Sequence, residues 1–149
     1  MKKLLLGTLL ASLVALLLAL LLASPTQASG GATLRAALSG VNETPPNSTG
    51  GTGFATVTLN PGHQSVCFTI TVSQNVLPAT AAHIHVAPVG QPGPIVVPLT
   101  PPGPNGASSG CVHAARDLIL NIIRHPSAYY VNVHNGQFPA GVVRGQLTR

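Results

Sequence analysis

Three histidines and two cysteines carry most of the reactive chemistry of this chain. His83 and His85 stand one residue apart in Ala81-Ala82-His83-Ile84-His85-Val86-Ala87, and His134 closes the run Tyr129-Tyr130-Val131-Asn132-Val133-His134. Neutral imidazole is a good ligand for copper, zinc or nickel, and a His-x-His pair with one further His is a workable ligand set. Cys67 and Cys111 are the only cysteines. Glu43 and Arg144 are candidates for a partly buried ion pair, since arginine can grip a carboxylate through two hydrogen bonds. The only other acid is Asp117, which falls in a different structural context and rules out a two-carboxylate hydrolase. No Gly-x-Ser-x-Gly elbow, phosphate loop or His-Glu-x-x-His motif occurs.

For three imidazoles to act together, two extended segments must present them on one side. Both histidine runs alternate β-branched or aromatic residues with other types, the pattern of a strand. Residues two apart in a strand share a face. His83 and His85 therefore project together, as do Tyr130, Asn132 and His134, with Ile84, Val86, Tyr129, Val131 and Val133 facing the opposite way. The rest of the chain reads as short strands between turns. Ala32 to Leu38 is a first strand, placed at an edge, and Ser39 to Gly53 is a Gly/Pro-rich loop. Phe54 to Leu59 and Val66 to Val72 form a hairpin around Asn60-Pro61-Gly62-His63, with Cys67 on its wet side. Ile95 to Leu99 is a short strand, and Thr100 to Gly110 reads as a second loop. Ala114 to Arg124 changes to helical period, with Ala115, Leu118, Ile119 and Ile122 on one stripe and Pro126 ending it. Ala128 to His134 and Val142 to Leu147 close the chain as strands. The expected fold is all-β with one short helix, an antiparallel Greek-key sandwich or barrel of the immunoglobulin or copper/zinc superoxide dismutase kind.

Composition bounds the partners and the compartment. Met1-Lys2-Lys3 and the apolar run Leu4 to Leu22 form a secretory signal, with Thr26-Gln27-Ala28 placing cleavage after Ala28. The run is long enough to span a bilayer, so an uncleaved anchor is the alternative and would be the one route to a membrane. Both lysines fall in that segment, so residues 29–149 hold five arginines, scattered along the chain, against two acids. Nucleic-acid binding needs a basic stripe, often with stacking aromatics, and this chain has neither. In an exported protein a lone cysteine pair is expected to form a disulfide. Closing a loop of roughly 45 residues, it stabilises by about 4 kcal/mol in the chain-entropy treatment.

With these pieces in place, the chain resembles the CHRD domain, named after chordin and also found singly in secreted bacterial proteins. The resemblance is carried, in order, by Leu38-Ser39-Gly40 with Glu43 and Pro45-Pro46, Gly53-Phe54-Ala55, Ala82-His83-Ile84-His85 and Gly93-Pro94-Ile95-Val96. It continues through Tyr130-Val131-Asn132-Val133-His134 and Phe138-Pro139-Ala140-Gly141 to Arg144-Gly145-Gln146-Leu147. It implies an extracellular β-rich module and not a known catalyst. One departure is Val142, where the family often has an acid that could pair with Arg144; that pairing is absent here, or Glu43 supplies it instead.

Two readings of the histidines stand side by side. They form a copper or zinc site, or they hydrogen-bond one another, Asn132 and backbone carbonyls in a polar seam. The His-x-His strand also resembles that of copper/zinc superoxide dismutases. Those enzymes need a fourth copper histidine and a zinc aspartate, whereas Asp117 lies on the expected helix and His63, His113 and His125 lie in unrelated contexts, so dismutase activity is not expected. Asn42-Glu43-Thr44 and Asn47-Ser48-Thr49 fit a glycosylation triplet and read as plain loop residues. The sequence thus describes a secreted, periplasmic or cell-surface module, residues 29–149 after a 1–28 signal peptide. It binds or supports an extracellular protein or surface ligand without catalysis. The alternative is metal binding by His83, His85 and His134.

Overall fold

In the computed structural model, which describes residues 31–149, eight antiparallel strands wrap around one apolar core. The expected 1–28 signal peptide lies outside the described residues. The strands are β1 (Ala32–Ser39), β2 (Thr52–Asn60), β3 (Ser65–Val72), β4 (Ala79–Val86), β5 (Ile95–Leu99), β6 (Ala107–His113), β7 (Tyr129–Asn135) and β8 (Val143–Gln146). The helix α1 (Arg116–Arg124) lies between β6 and β7. The spatial order is β5-β4-β7-β8-β1-β2-β3-β6. The two ends of that order, β5 and β6, approach each other and leave a nearly closed barrel. β6 returns beside β3 and β7 beside β4, the long returns of a Greek key.

Alternation in the sequence explains which side of each strand meets the core. Ala55, Val57 and Leu59 of β2 and Val66, Phe68 and Ile70 of β3 are buried, while Phe54 on the other face is exposed. Burying such a side chain stabilises the fold by about 1.5–3 kcal/mol. In α1, Ile119 and Ile122 enter the core. Asp117 in its first turn and Arg124 in its last suit the helix dipole. The helix begins at Arg116, two residues later than its period suggests, and Ala115 of the stripe stays exposed.

Two expectations are corrected. β1 is not an edge: it pairs along its length with β2 and meets β8 and the C-terminal residues at Ser39↔Arg144 and Arg35↔Thr148. The stretch Ala107–His113, within and beyond the expected loop, is a strand. Its Ala-Ser-Ser-Gly run gives no apolar alternation, and pairing with β3 imposes the extended form. Cys67 and Cys111 are direct neighbours in that pairing and form the expected disulfide.

β7 differs from every other strand. All seven of its residues are buried. Tyr129, Val131 and Val133 face the core, and Tyr130, Asn132 and His134 are covered on the outer face by loops.

Candidate metal centre

The site lies on the outer face of β4, β7 and β8. Register puts His83 opposite Asn132 and Asn132 opposite Arg144, a row across the three strands. His85, Tyr130 and Gln146 form the next row. His134 pairs with Ala81, diagonal to His83, close enough for side chains to meet. The three histidines expected to converge do so. One ligand nitrogen from each lies within 4.8 Å of the others, and their ring centroids are 4.9, 5.4 and 5.9 Å apart.

Hydrogen bonds fix the tautomers of this cluster. His85 Nδ1 lies 2.8 Å from the Gly93 carbonyl and His134 Nδ1 lies 3.0 Å from the Pro139 carbonyl. A carbonyl only accepts, so both Nδ1 atoms carry hydrogen and both Nε2 atoms hold a lone pair. His83 Nδ1, 3.1 Å from His134 Nε2, is then the donor between those two rings. His85 Nε2 is buried with no hydrogen-bond partner among the described residues. Backbone carbonyls behind an imidazole are the usual means of aiming the other nitrogen at a metal. The polar-seam reading and the metal reading therefore describe the same arrangement from its two sides.

The electrostatics keep the rings neutral. Burial, then the neighbouring rings of His134 and His85, lower the His83 pKa to about 4. Burial likewise lowers those of His85 and His134, against the hydrogen bonds to Gly93 and Pro139 that raise them. Neutral imidazole is the ligating form.

Around the cluster stands a second ring of polar groups. Glu43 is buried and its Oε1 accepts from Asn132 Nδ2 at 2.8 Å. Burial raises its carboxyl to about 7, against the opposing pull of Arg144 and Asn132. Gly141, at φ +141°, makes room for it, because a Cβ there would lie 2.6–2.7 Å from the carboxylate. Asn132 Oδ1 is buried without a partner among the described residues. The expected Glu43–Arg144 ion pair is not a direct one. Arg144 donates instead to the carbonyls of Gln91 at 2.7 Å and Pro88 at 3.0 Å, and its guanidinium lies 3.5 Å over the Tyr130 ring. Loop carbonyls that face the fork directly take the place of a carboxylate. Tyr130 in turn stacks on His85, at 4.8 Å and 5°, and is buried like Tyr129. The Glu43 loop is still fastened to the end of the chain, by Asn42 Nδ2 on the Arg144 carbonyl and Asn47 Nδ2 on that of Val142. Those bonds occupy both asparagines of the glycosylation-type triplets.

A cleft of about 360 Å³ opens beside this layer, lined by Val41, Glu43, Val89, Arg144 and Gln146. His63, His113 and His125, set apart from the site by the sequence, take no part in the cluster. Sequence reasoning missed Gly93, Pro139, Gln91 and Pro88, which act through backbone carbonyls and leave no side-chain signal. Gln146 adds a side-chain role that strand pattern does not reveal. Its Nε2 donates to the carbonyls of Ala87 and Ser127 and ties down the loop after β4.

The sequence model of the CHRD domain matches residues 34–147, nearly all of the described chain. No curated protein and no solved structure matches.

Proposed function

The chain belongs to the CHRD domain family, and from that premise we propose a secreted or envelope-exposed binding module whose His83, His85 and His134 hold a transition-metal ion, copper or zinc. The CHRD domain is not a known catalytic family, and we read this member as a non-catalytic binder. The disulfide and the family both suggest an extracellular setting.

The observation that carries the metal reading is His85 Nε2, a buried lone pair with no donor, beside two imidazoles whose nitrogens already approach it. Leaving such an acceptor unpaired costs about 1–3 kcal/mol, which a bound cation recovers. Metal–nitrogen bonds of about 2 Å in tetrahedral geometry put ligand nitrogens about 3.3 Å apart. The His83–His134 pair meets that at 3.1 Å, and the widest separation must contract by rotation of side chains alone.

Isothermal titration of the disulfide-bonded domain with Zn(II) and with copper tests this. One ion per chain is expected, with a rise in melting temperature. H85A or H134A should weaken binding about 100-fold or more, the outer range seen for lost supporting groups, and H63A should leave it unchanged. Absence of heat and of a melting shift with either metal would remove the reading. A second reading, binding of a protein or surface ligand without metal, draws on Val41 and Val89. They stand 70% and 77% exposed on the two loops that flank the cleft. A partner bound equally with and without chelator, and lost in V41D/V89D, would favour it.

A further inference from the structure

If the three histidines form a metal centre, as proposed above, the groups behind them bear on which ion they prefer. All three ligands are neutral imidazoles, and no carboxylate is among the groups whose ligand atoms converge. A fixed cation stands behind one of them. The Arg144 guanidinium lies over Tyr130, and Tyr130 stacks face to face on His85. Arg144 is 3% exposed and is anchored to the carbonyls of Gln91 and Pro88, so its charge can neither swing away nor be bathed in solvent.

We infer that the centre selects monovalent copper, Cu(I), over Cu(II) and Zn(II), with Arg144 as the residue that sets the preference. A neutral ligand set brings no negative charge to offset the second positive charge of a divalent ion. With the guanidinium 3.5 Å over Tyr130 and Tyr130 4.8 Å from His85, repulsion across about 8 Å at an effective dielectric of about 20 weakens binding roughly thirtyfold for each unit of charge on the ion. Three nitrogens also leave Zn(II) one donor short of its usual tetrahedral set, whereas a monovalent d10 ion tolerates three. The nearest counter-charge is Glu43. With its carboxyl raised to about 7, it is mostly protonated at pH 6 and does not cancel Arg144 there.

The test is an anaerobic titration at pH 6 with Cu(I) buffered by a competing chelator, alongside Cu(II) and Zn(II), on the wild-type chain, R144Q and R144K. The wild type should bind Cu(I) most tightly. The ratio of Cu(I) to Cu(II) affinity should fall roughly thirtyfold in R144Q and stay near the wild-type value in R144K. E43Q at pH 8, which leaves the Arg144 anchors intact, should raise that ratio above the wild-type value at the same pH. Tighter binding of Cu(II) by the wild type would overturn the inference. So would an unchanged ratio in R144Q or E43Q, or equal losses in R144K and R144Q, which would trace the effect to hydrogen bonding and not to charge. Failure of the wild type to bind any of the three ions would instead overturn the metal centre itself.

Discussion

At the scale of single residues, burial pushes both Glu43 and His83 towards their uncharged forms, and the two respond to pH with opposite sign. Glu43 has a folded pKa near 7 against an ordinary 4.5. The unfolded chain therefore loses that proton first. Its contribution is full below pH 4.5 and is lost as pH rises through about 7, a penalty of the order of 2–3 kcal/mol at pH 8. E43Q should remove this dependence, so wild type should lose melting temperature relative to E43Q between pH 5 and pH 8. A parallel pair of curves would refute the burial of a protonatable carboxyl. His83 runs the other way. Its folded pKa of about 4 lies below the ordinary 6.5, so its contribution is present above pH 6.5 and lost as pH falls towards 4. An H83Q variant should lose less stability than wild type on acidification from pH 6.5 to pH 4, read from denaturant midpoints. A steeper acid loss in H83Q would contradict the lowered pKa.

At the scale of elements, β4 and β7 do the positioning, and they were legible because each has a regular period. Their alternation puts His83 with His85 on one strand and His134 with Tyr130 and Asn132 on the other, and pairing in the register His83↔Asn132 brings the three rings together. β6 was illegible for the converse reason: Ala107-Ser108-Ser109-Gly110 has no apolar face, and only its neighbour β3 makes it a strand. The Arg144 partners were illegible too, because a backbone carbonyl carried in by a loop looks the same whatever residue bears it. The disulfide fastens β6 to β3, two strands that contribute no residue to the site. C67S/C111S should therefore lower stability by up to about 4 kcal/mol, measured by urea denaturation, while metal affinity stays within about threefold of wild type. A large loss of affinity in a variant that still folds would show that the barrel wall, and not the β4–β7 pair, sets the geometry.

At the scale of the whole molecule, the nearly closed barrel places its apolar side chains inside and leaves one outer sheet face free to be roofed by three loops. Those loops supply Glu43, the Gln91–Gly93 segment and the Pro139 carbonyl, so the site is a polar second layer laid over a strand that is buried on both sides. Long insertions between strands close this layer at little entropic cost, which is why so Gly- and Pro-rich a chain can hold an ordered site. The most direct measurement is anomalous X-ray diffraction from crystals of the metal-loaded domain. One ion is expected about 2 Å from His85 Nε2, His134 Nε2 and His83 Nδ1, the last freed for the ion by moving its hydrogen to Nε2. An ion held at His63, His113 or His125, or a cluster that stays metal-free in excess copper and zinc, would contradict the account.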